Sequence, residues 1–296
     1  MKVHLEGMGV VGSVAAHLLL EKGVDFTWEE LRSGFNAYRA SAGGVYPINT
    51  AVGHAAVSRK AYQAWVDAAY MDAYGEGVTE LCAYLYNTQS APFGQVWTPI
   101  AQRGGLNLAP IPVVAVNTQR LVASSWDRFA AQEAPQPEGS KRFVSHGFGG
   151  RLAHYAWGCT VVVALHQEER FRSGDRRPFM SLFASRAVRL YVVPLPGTAH
   201  YIIGSTIRVK QQRPSLLEGK AEETANKYLA LLRSLAGITA TVHGIRQGWR
   251  PVAHEGDPAP LRKVGDRIWA VRPAAGSGVA QAHEFASAIA QEAQRL

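Results

Sequence analysis

"HLEGMGVVGSVAAHLLLEKG", residues 4–23, sets three glycines at the spacing Gly7-x-Gly9-x-x-Gly12 between a short apolar stretch and a run with helical periodicity. KVHL, just before the glycines, alternates as a strand does, and SVAAHLLLEKG carries apolar residues at helical intervals up to Gly23, a good helix stop. The stretch therefore reads as strand, glycine turn and helix. In such a unit Gly7 permits the tight turn, Gly9 lets the backbone approach a pyrophosphate, and Gly12 lets the helix pack closely on the strand. The N–H groups of Val10 and Val11, at the helix N-terminus, then face the anion.

Working outward, VDFTWEE (residues 24–30) reads as a second strand ending in acids. Glu30 follows Gly12 by 18 residues, near the offset at which a carboxylate accepts hydrogen bonds from an adenosine ribose. Glu29 is its rival, because a strand end slips easily by one. The unit points to a dinucleotide but does not separate NAD from FAD, since both present the same ADP half to it.

The remaining composition narrows the class. At 296 residues with 47% hydrophobic and 18% charged residues, the chain has an ordinary globular balance and length for one large or two modest domains. The opening MKVHLEGMG breaks into glycines before a long apolar run forms, so no secretory signal or bilayer span is expected, and the reading is cytoplasmic. Cys82 and Cys159 lie far apart without metal-ligand spacing, so two reduced, packed thiols and no structural metal are expected. No nucleophile elbow, Walker motif or kinase signature competes for the chemistry.

Beyond Glu30 the chain does not start another strand–helix unit. It passes through NAYRASAGGVYP (36–47), a small-residue stretch with Arg39, Ser41, Ala42, Gly43 and Gly44. This resembles the loop after the ribose-binding acid in the D-amino-acid oxidase and glycine oxidase superfamily of flavoproteins. LYVVPLPGTAHYIIGSTIRV (190–209), GWRPVAHEGDP (248–258) and RIWAVRPAAGSGVAQAHEFASAIAQ (267–291) extend the resemblance over nearly the whole chain, in the family's order. Only the glycine fingerprint and GWRP are sharp. Pro273, Ala274 and Ala275 stand where the family has a glycine- and histidine-rich stretch.

The resemblance implies an α/β fold: a Rossmann-like FAD-binding domain with a smaller β-rich substrate domain inserted. The FAD-binding domain is expected from residues 1–60, 140–170 and 240–296, and the substrate domain and connecting elements from 61–139 and 171–239. RLAHYAWGCTVVVAL (151–165) is expected as the return strand to the nucleotide domain and SLLEGKAEETANKYLALLRSLAG (215–237) as a helix on the substrate sheet. Gly276, Ser277 and Gly278 would form the last turn, aiming the final helix N-terminus at the flavin, where it would stabilise the anion of the reduced ring. This favours FAD over NAD, held non-covalently, since neither cysteine falls where a link would form.

By the same resemblance Arg250, in Gly248-Trp249-Arg250-Pro251, matches the arginine that grips a substrate carboxylate, and Tyr191 matches a tyrosine that assists it. A guanidinium fork fixes both carboxylate oxygens and so aims the Cα–H at the flavin. Bracing a loop is the competing role for Arg250, and core packing on a sheet face the one for Tyr191. His254 is the one histidine near the motif, and none is required as a base. The implied chemistry is oxidation of the Cα–N bond of an amino-acid-like amine, followed by imine hydrolysis.

The charge leaves the substrate open. Residues 1–169 carry 12 Lys+Arg against 14 Asp+Glu, a net of −2, whereas residues 170–296 carry 19 against 9, a net of +10. Arg170, Arg172, Arg176, Arg177, Arg186, Arg189, Arg208, Lys210 and Arg213 fall in one run opposed only by Asp175. That run is either a solvated face or a surface for a polyanion. The chain is also short for the family, which implies fewer lid elements and a more open site. A DNA-linked amine, as oxidised by the flavin-dependent lyases of phage thymidine hypermodification, therefore stands beside a free small amino acid such as glycine or sarcosine. A third reading is a flavin-containing nucleic-acid-binding module that oxidises nothing.

Overall fold

The computed structural model describes residues 2–30, 36–46, 59–87, 98–145, 155–185, 188–205, 209–211, 217–251, 259–271 and 279–295. The chain opens with β1 (Val3–Glu6), α1 (Val10–Glu21) and β2 (Phe26–Glu29), then a 3-10 turn at Ala37–Ala40, β3 (Gly44–Val45), α2 (Arg59–Tyr70) and β4 (Thr79–Tyr86). Next come β5 (Ala101–Arg103), β6 (Leu106–Val116), α3 (Thr118–Arg128), β7 (Lys141–Val144), β8 (Tyr155–Leu165) and β9 (Pro178–Phe183). It ends with β10 (Arg189–Pro194), β11 (Tyr201–Ser205), β12 (Val209–Gln211), α4 (Glu218–Ala236), β13 (Ala240–Pro251), β14 (Leu261–Gly265), β15 (Ile268–Val271) and α5 (Ala282–Gln294).

Two sheets organise these elements. The first has the order β14-β15-β7-β1-β2, parallel except for the antiparallel β14–β15 pair. Val3 and Leu5 are buried on one face of β1 and His4 on the other, as expected of a parallel sheet covered by helices. On it α1 packs against α5 and α3, and α2 against α5. The second sheet has the order β12-β8-β11-β10-β9-β4-β6-β3, with β13 on the other edge of β8 and β5 on β6. It is antiparallel except for β4–β9.

Each face of the second sheet has its own partner. Ala225, Tyr228 and Leu232 of α4 pack with Val161, Val163, Leu190, Val192, Tyr201 and Ile203 on one face. Gly237, at φ +65°, ends this helix. Tyr46, Tyr84, Tyr86, Phe179, Val193 and, half-buried, Tyr191 form the cluster on the opposite face. This is the fold expected, a parallel nucleotide-type sheet with a curled antiparallel substrate sheet.

Sheet membership departs from the expected boundaries at three strands. Tyr155–Leu165 does not return to the parallel sheet but lies inside the antiparallel one, between β13 and β11–β12. The return strand is the short β7. Val161, Val162 and Val163 would be as apolar in either sheet, so burial alone does not assign them. β3 and β13 also belong to the antiparallel sheet, while α3 packs on α1, and α2 bridges α5 to β4 and β6 as a connecting element.

Candidate functional site

The glycine turn is held from both sides by strand ends. Gly7, at φ +102°, donates its N–H to the Glu29 carbonyl at 2.8 Å and accepts from Ser145 Oγ at 2.5 Å. A Cβ on Gly12 would lie 2.0 Å from the Gly7 carbonyl oxygen, so only glycine allows α1 to sit this close to β1. A Cβ on Gly9 would meet no described protein atom within 4 Å. Gly9 is the N-cap of α1, with no side-chain cap and no acid in the first turn. Among the described residues no side chain caps the N–H groups of the first turn, Val10 and Val11 among them, and an uncapped helix N-terminus suits an anion.

The structure also separates the two acids. Glu30 Oε2 accepts the Met8 N–H at 2.6 Å, placing this carboxylate at the turn itself. Glu29 lies 3.4 Å from Nε2 of the buried His4, whose other ring nitrogen meets Thr27 Oγ1 at 2.9 Å. Burial lowers the His4 pKa, with Glu29 opposing that shift. Uncapped donors, open space at Gly9 and Glu30 beside both fit a dinucleotide's ADP half.

From there the chain crosses the face of the antiparallel sheet. The turn Ala37–Ala40 rests on β13, where a Cβ at Gly248 would come within 3.0 Å of the Asn36 carbonyl and 3.1 Å of Ala40 Cβ. Arg39 is exposed, its carbonyl taking a bond from Gln119 at 3.0 Å, and Ser41 Oγ accepts the Gly43 N–H at 3.2 Å. Ala42 packs over Gly204 of β11, 3.7 Å from where a Cβ would stand. Gly43, at φ +68°, would bring a Cβ within 1.9 Å of the Val116 carbonyl, and Gly44 pairs with Ala115. This segment thus runs along the antiparallel sheet and touches α3 at Gln119.

It delivers Tyr46 onto the expected tyrosine. The Tyr46 hydroxyl donates to the Tyr191 hydroxyl at 2.9 Å, and burial pushes the Tyr46 pKa up. Register places Tyr191 opposite Ser181 and Gly204, and carries that row through Thr160 to Arg246. Arg250 pairs with Ala156, four residues along β13 from Arg246. The Arg250 side chain, Gly276, Ser277, Gly278 and His254 lie outside the described residues. Arg246 is half-buried, and burial lowers its pKa.

Sequence reasoning passed over Tyr46, Tyr84 and Ser181, and counted Arg189 only as one cation of the basic run. Nη2 of Arg189 donates to Ser181 Oγ at 3.0 Å and Tyr84 OH at 3.3 Å. Its guanidinium stands 4.6 Å from the Phe183 ring centroid, 4.7 Å from Tyr191 and 4.9 Å from Tyr46. The period-two pattern of RLYVVP was the available signal, since it sets Arg189 and Tyr191 on one face.

Other members of the basic run serve the fold. Arg177 forms a two-pronged pair with Glu80 and donates to the carbonyls of Leu195, Thr198 and His200. Arg172 pairs with Glu168 at 2.8 Å. The excess counted along the chain is thus partly met by acids outside the run. Arg170 and Arg176 are exposed, whereas Arg186, Arg208, Arg213 and the Lys210 side chain lie outside the described residues. Cys82 and Cys159 are free and buried, and burial raises both thiol pKa values, that of Cys159 to about 11. Among the described residues there is no cluster of metal-ligating side chains and no helix long and apolar enough to cross a membrane.

No family model and no curated protein matches the chain by sequence. Solved structures do match by fold. Glycine oxidase from Bacillus cereus superposes with a TM-score of 0.68 at 16% identity, over 99% of this chain and 95% of that one. Iminodiacetate oxidase from a Chelativorans species gives 0.65 at 15% identity, over 97% and 94%. A glycerol-3-phosphate dehydrogenase from Bacillus halodurans complexed with FAD gives 0.60 at 12% identity, over 100% of this chain and 64% of that one. The chain has the fold of the D-amino-acid oxidase-like flavoproteins. With 95% of the glycine oxidase chain matched, its shortness removes little of that fold.

Proposed function

We propose that the protein is an FAD-dependent oxidoreductase acting on the Cα–N bond of a free small amino acid or secondary amine, of the glycine or sarcosine kind. The observation that carries this reading is the placement of residues 36–46 across the antiparallel sheet, with Tyr46 on the tyrosine row, in a chain whose glycine turn carries Glu30 at its Met8 N–H. A cofactor held at that turn would present its ring system along this segment. The fold shared with amine and amino-acid oxidases supports the same reading.

The first turn of α1 would hold the pyrophosphate, and Glu30 the adenosine ribose. FAD, when bound, supplies the acceptor for the hydride, and with it the two electrons, that leaves the substrate Cα. Arg250 would grip the carboxylate and Tyr191 would add a hydrogen bond, fixing which C–H faces the ring. The nitrogen lone pair closes the C=N bond as hydride leaves, so no protein base is required; water then splits the imine to an oxo acid and an amine or ammonia. Tyr46 holds the Tyr191 hydroxyl and is kept neutral by burial.

Anaerobic mixing of flavin-loaded protein with glycine, sarcosine and related amines tests this directly, because bleaching of the flavin band reports reduction. Arg250→Ala should weaken carboxylate-dependent binding by about 1.5–3 kcal/mol while FAD stays bound, and Arg250→Lys should restore only part of it. Bound flavin that none of these amines reduces would end the reading.

A DNA-linked substrate draws less support, because Arg177 and Arg189 point inward and Arg172 is paired. It requires DNA binding that falls steeply with salt and flavin reduction by DNA carrying a glycyl-modified thymine. Salt-insensitive, negligible binding would remove it.

A further inference from the structure

Arg189 is a buried cation that the oxidation of a monocarboxylate leaves without a role. It precedes Tyr191 by two residues on β10 and so lies on the same face. Four aromatic residues surround it: Tyr46, Tyr84, Tyr191 and Phe183. Its hydrogen-bond partners among the described residues are the neutral hydroxyls of Ser181 and Tyr84, both on Nη2. Among the described residues its Nε, shut off from solvent, has no hydrogen-bond partner. Among those residues the groups acting on its charge are the three tyrosines, and no carboxylate is one of them. Arg177 shows the contrast within the same sheet: a carboxylate takes two of its donors and backbone carbonyls take others.

A guanidinium offers five donors in a fixed fork, and burying its charge without an anion is costly. Arg189 is nevertheless half-buried rather than fully enclosed. The aromatic wall around it suits a planar guanidinium, on which rings stack. An acidic group arriving from the substrate side would meet the unused donors and supply the missing charge.

Register separates this cation from Arg250. Arg189 lies two residues from Tyr191, and Arg250 lies four residues along β13 from Arg246, the residue at the far end of the Tyr191 row. Strand directions put both shifts toward the same end of the sheet. Three strand spacings separate them laterally, so their Cα positions stand roughly 15 Å apart along the sheet surface. A Cα separation of that size leaves room for one small molecule with acidic groups at both ends, and a single carboxylate does not span it.

Resting on the amine-oxidation reading, we propose that Arg189 receives a second acidic group and that the preferred substrates are amines bearing two carboxylates. Arg189 would then select the substrate, while Arg250 orients the reacting half.

The test uses flavin-loaded protein with iminodiacetate and aspartate as two-carboxylate probes, and sarcosine and alanine as their one-carboxylate counterparts. The expected result is a kcat/KM ratio favouring the two-carboxylate member of each pair by about 10- to 100-fold, the span of one charge-assisted hydrogen-bonded pair. Arg189→Gln should collapse that ratio toward one, and Arg189→Lys should restore part of it. A second readout is independent of turnover and of any variant's folding: iminodiacetate should raise the melting temperature of the wild-type protein at lower concentration than sarcosine does. That thermal shift, without flavin reduction by any amine, would uphold the anion site and overturn only the oxidation reading. Oxidation of sarcosine with no two-carboxylate preference, or a ratio untouched by Arg189→Gln, would overturn the inference and leave the oxidation reading in place.

Discussion

Substitutions at Gly9 and Gly12 should fail in opposite ways. Gly9 has φ −70° and ψ −163°, an extended conformation open to any residue, and its Cβ would meet no described protein atom within 4 Å. Gly9→Val loses a favourable N-cap, about 0.5–1 kcal/mol, and gains a similar amount from the stiffer unfolded chain. The apoprotein's melting temperature should therefore stay within about 4 °C of wild type. The added methyl groups enter the space that a pyrophosphate would share with the first turn of α1. Losing two charge-assisted hydrogen bonds there costs about 3–6 kcal/mol, an FAD affinity weaker by about two orders of magnitude or more. Gly12→Ala instead drives a Cβ to 2.0 Å from the Gly7 carbonyl oxygen and 3.0 Å from its carbon. Backbone must move, at about 1–3 kcal/mol or more, so this variant should lose fold stability first. Titration of apoprotein with FAD, followed by flavin fluorescence beside thermal denaturation without FAD, separates the two effects. A Gly9→Val protein with wild-type flavin content, or a Gly12→Ala protein as stable as wild type, would refute the assignment of the turn.

Other expectations concern stability. Burial lowers His17 and His283 from 6.5 to about 4; both are neutral in the folded and unfolded chain above 6.5, and below it only the unfolded chain gains the proton. Stability is therefore full above pH 6.5 and falls toward pH 4 by at most about 3 kcal/mol per histidine, which urea denaturation at pH 7.5 and 5 would register and His283→Phe would reduce. Arg177→Ala strips Glu80 of its cation and three carbonyls of a donor. It should cost about 2–4 kcal/mol, with Arg177→Met/Glu80→Leu recovering much of the loss in the same assay; a neutral Arg177→Ala would contradict the pairing.

The parts of this protein that the sequence by itself determined are those whose signal is local. Glycine spacing, the apolar period of α1 and the acids closing β2 depend on residues within one strand–turn–helix unit, so residues 4–30 specified the glycine turn without knowledge of any partner. RLYVVP likewise declared a strand, and GWRP its resemblance. What only the tertiary structure decided are relations between residues distant in the chain. Glu29 and Glu30 are chemically equal until the turn brings the Met8 N–H to one and His4 to the other. The valines of β8 are apolar enough for either sheet, and only pairing with β11 and β13 assigned them. The charge count along the basic run overstated its free cations because Arg177 finds Glu80 across 97 positions. Arg189 read as one more surface cation until folding closed Tyr46, from 143 residues earlier, over its guanidinium. Periodicity records which face a side chain takes, but charge neutralisation and ring contacts depend on which strands become neighbours.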